Sequence, residues 1–491
     1  MTGGGRGAGT VAAVDLGATS GRVVLGRVDG RGAGTLEIRQ VARFANDPVR
    51  LASGLHWDLS GLSRRVDSGL AKALREEPGV TSIGVDSWAV DYALLAGDRM
   101  LCEPFHYRDE RSAAGVEAVH TIAPFAELYR RNGLQFLPFN TLYQLAAERA
   151  QGAQGDGGGC LGLADSLLLV PDLIAFQLTG ERVAERTNAS TTGLLGIDSR
   201  EWDDELIERL GLPRSVFPRL VDPGETIGTL RGEVAAGFGI GSRHPLEVVA
   251  VGSHDTASAV VAVPMRPESA AYISCGTWGL VGVELERPVL TDAARAANFT
   301  NEGGVDGRVR FLRNVMGLWL LSESVRQWER DGETVELAAL LAAAASVTAP
   351  VTVFDANDPR FMASGDLPAR IAEWCREHGE PAPGTPAEFA RSIVESLARA
   401  FAEAVVDAAR LSGTQVETIH LVGGGALNEL LCQRTADRAG LPVLAGPVEA
   451  TAIGNVLVQA RAQGFTGAGL ESLRALVATA FPPRRYEPVA G

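Results

Sequence analysis

The stretch VAAVDLGATSGRVVLGRV, from Val11 to Val28, runs an apolar strand into a turn of small residues and out again into a second apolar strand. The pattern returns in AAYISCGTWGLVGVEL, from Ala270 to Leu285. One such hairpin early in the chain and another past its middle predict a duplicated α/β architecture, with related sheets in two lobes. The loop-like GFGIGSRHP places the boundary near residues 240–250. The expected organisation is a flexible glycine-rich tail over residues 1–10, lobes over 11–245 and 246–465, and an extension over 466–491.

Other segments read as ordinary elements of such a fold. TPAEFARSIVESLARAFAEAVVDAARLSG has Thr385 to cap, Pro386 in the first turn and Glu388 to close a capping box, so a helix is expected up to Gly413. It leads into TIHLVGGGALNE, a strand running into three glycines. In VGSHDTASAVVAVP, Asp255 stands between a short strand and a run of small residues that reads as a buried helix. Aspartate there is a favoured N-cap. A carboxylate kept ionised by a helix N-terminus can also receive a hydroxyl proton, and the two roles are compatible.

Charge and composition exclude several function classes. A net charge of −15 with no basic run argues against a nucleic-acid partner. LLLVPDLIAF is broken by Pro171 and Asp172, so no membrane span is expected. Five scattered cysteines fit free thiols in a reducing, cytoplasmic setting better than disulfides or zinc. Lys72 is the only lysine, within the amphipathic LSRRVDSGLAKALREE, where it reads as a solvated side chain. A Walker A loop or a protein-kinase site needs a lysine on the nucleotide phosphates, so neither can exist here. Polyphosphate must then be cradled by backbone amides, for which DLGATSGR, SCGTWG and VGGGALN offer three glycine-rich turns.

DLGATSGR, GVDSWAVD, YRDERS, LPFNTLYQL, SHDTASAV, SCGTW, NVMGLW and VGGGALN occur in that order between about residues 11 and 465, and together they resemble the FGGY carbohydrate kinases. The resemblance implies a two-lobed actin-like ATPase fold, ribonuclease H-like in each lobe, with a nucleotide cleft between lobes. It implies ATP and Mg²⁺ as cofactors and a small ketose, L-rhamnulose, as acceptor. The first lobe would bind sugar and phosphate, and the second would carry the catalytic aspartate and bind adenosine. Carried onto this chain, the family's nucleotide contacts fall on Ala18, Thr19, Ser20, Gly21, Arg22, Thr277, Ser322 and Gly424. Its sugar contacts fall on Ala89, His254, Asp255, Thr256 and Asn314, and its catalytic base on Asp255. Asp15 matches the aspartate that holds Mg²⁺ through water. Ser322 departs from the family's glutamine and Ala89 from its glycine. Trp88 and Tyr92, beside the sugar segment, read as core residues or as packing for a sugar methyl.

Rival readings are a kinase of another ketose, such as L-fuculose or L-xylulose, a non-sugar actin-like ATPase, a sugar-responsive regulator of similar fold, and a glycosidase using Asp86 and Asp91. The last leaves the phosphate-cradling turns unexplained.

Overall fold

A computed structural model describes residues 7–31, 34–154, 159–240 and 245–489. Most of the expected tail, residues 241–244 of the expected boundary and the last two residues of the extension lie outside the described residues. The chain forms two compact units. The first takes the chain up to Pro264 together with Leu285–Arg310 and Ala450–Ala480; the second takes Met265–Glu284, Phe311–Glu449 and the chain from Phe481.

The sheet of the first unit contains β1 (Ala8–Leu16), β2 (Ser20–Asp29), β3 (Thr35–Ala45), β4 (Val80–Ser87), β5 (Thr226–Thr229) and β6 (Glu247–Val249), in the order β5-β6-β4-β1-β2-β3. Strands β1, β4 and β6 run parallel, while β2, β3 and β5 are antiparallel to their neighbours. Val11 to Leu16 are all buried, as an apolar run covered on both faces requires. In the second unit β7 (Ala270–Cys275), β8 (Trp278–Leu285), β9 (Val309–Met316), β10 (Thr418–Val422), β11 (Val443–Ala445) and β12 (Arg484–Tyr486) follow the order β9-β8-β7-β10-β11-β12. Both expected hairpins are present, each beside a parallel strand reached by a crossover, so the two sheets repeat one topology. The antiparallel strand beyond the parallel set arrives differently in each: β5 precedes its neighbour in the chain, whereas β12 follows its own.

Helix Pro386–Ser412 forms as its capping signals predict. Thr385 and Glu388 close the box, and Gly413 ends the helix with φ 79°. Helix Ala450–Ala462 is buried almost all round and packs on β1, β2 and β4. It brings two amides inside. Gln459 Nε2 donates to the Ala12 carbonyl at 3.0 Å and to Asn455 Oδ1 at 2.6 Å, and Gln459 Oε1 accepts from Ser82 Oγ at 2.8 Å. Gly84 faces this pair; a Cβ there would lie 2.5 Å from Asn455 Oδ1 and 2.6 Å from Gln459 Nε2, so only glycine admits the amides.

Beyond β4 the chain turns sharply at Ala89, Val90 and Asp91. The Asp91 amide donates to the Ala89 carbonyl at 2.9 Å, and Val90 between them has φ 68°. An i to i+2 bond around a β-branched residue in this region is a strained γ-turn. The surroundings hold it in place. Thr141 Oγ1 donates to the Val90 carbonyl at 2.7 Å. The Asp91 carboxylate receives Trp57 Nε1 at 2.6 Å, Trp88 Nε1 at 3.0 Å and Gln144 Nε2 at 3.0 Å. Trp57 in turn stacks on His106 with ring centres 4.1 Å apart. Burial, followed by the charge of Arg108, pushes that imidazole down to about 3, which keeps it neutral. Trp88 and Tyr92 are both buried in this packing, in keeping with the core reading.

Burial lifts the Asp91 carboxyl from 3.8 to about 6, outweighing the N–H groups that converge on it. The folded state thus holds this proton more tightly than the unfolded chain, so its contribution to stability is full below about pH 4 and is lost as pH rises through about 6. The change amounts to roughly 3 kcal/mol, at about 1.4 kcal/mol per pH unit. Thermal unfolding followed from pH 4 to 7 is expected to show a flatter pH slope in Asp91→Asn than in the parent, whatever the offset between the curves. Parallel curves would refute the assignment.

Candidate active site

In the first unit three aspartates gather at the carboxyl ends of parallel strands. Asp15 and Asp86 are direct neighbours across β1 and β4, and Asp15 is also paired in register with Arg22 across the hairpin. Arg22 Nε lies 3.1 Å from Asp15 Oδ2, so the guanidinium expected to meet a nucleotide first offsets this carboxylate. Asp86 is fully buried; its Oδ2 accepts from Asn455 Nδ2 at 2.6 Å, and its Oδ1 has no hydrogen-bond partner. Desolvation, then the charge of Asp15, drives the Asp86 carboxyl well above the usual range. The Asn455 bond opposes this, and the charge of Asp255 adds to it. From sequence alone Asp86 stands out only as a glycosidase carboxylate paired with Asp91. The structure separates them: one joins Asn455 and the other the tryptophans.

Asp255 is the first residue of helix Asp255–Val261, and His254 occupies the cap position without a side-chain capping bond. The expectation that Asp255 caps this helix is therefore corrected. Its carboxylate instead accepts from Thr256 Oγ1 at 3.0 Å and lies 3.4 Å from His254 Nε2, with the side chain 30% exposed. A carboxylate one position inside the helix is still favoured by the first-turn dipole and is free to face outward.

The loop before it is pinned by a residue that stands in no recognisable motif. Glu185, fully buried, accepts from Ser253 N at 3.0 Å, Ser253 Oγ at 2.8 Å, Thr187 N at 2.8 Å, Thr187 Oγ1 at 2.5 Å and Asn188 N at 3.2 Å. The Ser253 carbonyl receives the Ser87 amide at 2.9 Å, and Ser87 bridges His254 in parallel. The Ala89 turn and the segment His254, Asp255 and Thr256 are thus fastened to the same strand end.

The turn between β1 and β2 is closed by Gly17 N donating to the Ser20 carbonyl at 2.9 Å. Asn46 takes up the Thr19 carbonyl through its backbone amide at 3.0 Å and the Gly17 carbonyl through Nδ2 at 2.9 Å. With these carbonyls tied down and Thr19 exposed at the tip, Ala18, Thr19, Ser20 and Gly21 form a rigid small-residue turn above Asp15 and Arg22.

In the second unit Leu318 organises the candidate residues. Its amide donates to the Gly276 carbonyl at 2.9 Å, next to Thr277; its carbonyl accepts the Ser322 amide at 2.9 Å; its side chain lies under Gly424. Thr277, Ser322 and Gly424 are therefore brought together. The approach depends on Gly317, where a Cβ would fall 2.5 Å from the Trp278 carbonyl carbon and 2.7 Å from the Gly276 oxygen. Asn314 stands on β9, partly exposed. Leu427, at the end of the triple-glycine turn, is 69% exposed.

A hard divalent cation suits the chemistry of Asp15 and Asp86, whose carboxylates adjoin and whose Oδ1 on Asp86 is buried without a partner. Among the described residues no three carboxylates, histidines or cysteines converge closely enough to enclose an ion. The fit is with Mg²⁺ held by one or two carboxylates, water and phosphate oxygens, rather than in a protein cage.

The model of the FGGY family of carbohydrate kinases, N-terminal domain, matches residues 10–262, and that of the C-terminal domain matches 271–463. The chain is 41% identical to a rhamnulokinase of Pectobacterium carotovorum, covering 98% of this chain and 93% of the relative, and 39% identical to one of Bacteroides thetaiotaomicron, covering 97% and 95%. The gluconate kinase of Lactobacillus acidophilus superposes with TM-score 0.76 at 16% identity, covering 98% of this chain and 94% of that one, which shows a shared fold. Two domain matches spanning nearly the whole chain, with relatives of about 40% identity, establish that this chain belongs to the FGGY family of carbohydrate kinases.

Proposed function

We propose that the chain transfers the γ-phosphate of MgATP to the 1-hydroxyl of L-rhamnulose, giving L-rhamnulose 1-phosphate and ADP. Family membership supports a sugar kinase using ATP and a divalent metal, and the rhamnulokinases of Pectobacterium and Bacteroides support the choice of ketose. The observation that carries the chemistry is the state of Asp255: a partly exposed carboxylate at the start of a helix, beside His254, where Asp86 and Asp15 are buried.

Asp255 accepts the proton of the sugar hydroxyl as its oxygen attacks phosphorus. An ordinary carboxylate suffices, because the hydroxyl becomes strongly acidic only as the new bond forms, and phosphoryl transfer depends mainly on positioning and charge stabilisation. Ala89, at the strained turn, and His254, Thr256 and Asn314 are assigned to the sugar. In the first unit Ala18, Thr19, Ser20, Gly21 and Arg22 are assigned to the phosphates. In the second, Thr277 is assigned to the phosphate side, and Gly424, Ser322 and the exposed face of Leu427 to adenosine. Mg²⁺, when bound, neutralises phosphate charge, and Asp15 would hold it through water with Asp86 alongside. The cytoplasm, with its reducing thiol balance, is the compartment we assign. Among the described residues no helix is long and apolar enough to cross a membrane.

Ala89 in place of glycine favours a second reading, a kinase of a related ketose such as L-fuculose or L-xylulose. Coupled ADP release against a ketose panel separates the two. The highest kcat/KM is expected with L-rhamnulose, and a tenfold preference for another ketose would displace the first reading. Asp255→Asn is expected to retain ATP binding while kcat falls at least about a hundredfold; near-normal turnover by the folded variant would remove Asp255 from the mechanism. ATP hydrolysis without ketose is expected to be slow, because water lacks the sugar contacts that orient the nucleophile. Equal ADP release with and without sugar would contradict this.

A further inference from the structure

Behind the proposed catalytic aspartate lies a buried group that no role so far described uses. Arg310 is fully buried at the end of the segment Leu285–Arg310, with Nε donating to the Gly303 carbonyl at 2.9 Å. Its Nη2 lies 2.9 Å from His254 Nδ1 and 3.1 Å from Glu302 Oε2. On its other side the His254 ring places Nε2 at 3.4 Å from Asp255 Oδ1.

We infer that Arg310 is a positioning residue that fixes His254 in the neutral Nε2–H tautomer and so makes the imidazole a hydrogen-bond donor toward Asp255. A guanidinium can only donate, so the nitrogen it meets at 2.9 Å must offer a lone pair, and the ring proton is forced to the opposite nitrogen. Glu302 Oε2 is also 3.3 Å from Nδ1 and would attract a proton there. That arrangement would set a ring N–H against the guanidinium N–H, two donors in contact with no lone pair between them at a fully buried site. Glu302 instead balances the charge of Arg310, and the Arg310 bond to Gly303 keeps the fork aimed.

The consequence is specific to the reaction read above, on which this inference rests. With Nε2–H directed at Oδ1, one carboxylate oxygen of Asp255 is steadied by a donor and the other is left to accept the sugar proton. His254 then cannot itself serve as the base through Nε2. The opposite tautomer would aim a lone pair at Asp255 Oδ1 and rotate the carboxylate away.

The test combines a spectroscopic and a kinetic reading. With ring ¹⁵N-labelled histidine, the His254 resonances, identified by their loss in His254→Gln, are expected to show a protonated Nε2 and a bare Nδ1. A protonated Nδ1, alone or in an imidazolium, would overturn the inference. Replacing the pair as Arg310→Met with Glu302→Gln removes the donor without stranding a buried carboxylate. The tautomer population is expected to shift and kcat to fall roughly 10- to 100-fold, with KM for ATP unchanged. Arg310→Lys, which keeps a donor, should retain more of both. In any folded variant, a changed tautomer with unaltered kcat, or the reverse, would overturn the coupling. Failure of the underlying reading is distinguishable, since it would appear as retained turnover in Asp255→Asn while the wild-type tautomer stood as stated.

Discussion

The first unit is arranged around one electrostatic problem: Asp15 and Asp86 side by side on parallel strands, both out of water. Two adjacent buried carboxylates repel, and each loses its hydration. Arg22 answers Asp15 from across the hairpin. Asn455 answers Asp86 from a helix nearly 370 residues later in the chain, and is itself anchored through Gln459 to Ala12 and Ser82. The helix carrying these amides must lie directly on the sheet, which is why β4 has glycine at position 84. An apolar sheet would be easier to fold. Two carboxylates kept at the strand ends make sense where a cation and phosphates are to be handled.

This explains which parts of the molecule could be read from the sequence. The hairpins, helix Pro386–Ser412 and the triple-glycine turn depend on residues within a few positions of one another, so their signals survive in a linear reading. The family motifs locate the proposed site for the same reason. What escaped are the partners supplied across the chain. Glu185 pins Ser253 over 68 positions, Gln144 reaches Asp91 over 53, and Arg310 reaches His254 over 56. Each is an ordinary polar residue in its local context. The glycosidase reading failed similarly: Asp86 and Asp91 are close in sequence, but the γ-turn between them sends their carboxylates to different neighbours. The misread cap has a smaller cause. Aspartate is favoured both at the cap and in the first turn, so the motif alone leaves a one-residue ambiguity. Placed inside the helix, Asp255 leaves the cap to His254.

The strained turn at Val90 belongs with these long-range ties. A β-branched residue at φ 68° costs of order 1–3 kcal/mol and persists only when its surroundings determine it. Here Thr141 holds the carbonyl on one side, and the Asp91 carboxylate, gripped by two tryptophans and a glutamine, holds the other. The turn sets the position of Ala89. A methyl carried on a backbone this firmly held cannot move aside for a ligand, so under the proposed function the sugar would have to fit the turn rather than the reverse.

A positional constraint of this kind also bears on why the proposed base is a carboxylate and not the adjacent histidine. A free imidazole one residue away could accept a proton, and near neutral pH it would be the better base. A base of that strength is unnecessary for a hydroxyl that turns acidic only during transfer, and its protonation would vary with pH. Holding Nδ1 against a permanent buried cation removes the choice: the imidazole becomes a fixed donor, and in the proposed mechanism proton acceptance falls to the partly exposed carboxylate of Asp255. On this account Arg310 acts by denying His254 a second protonation site, which requires a cation that never titrates and therefore an arginine.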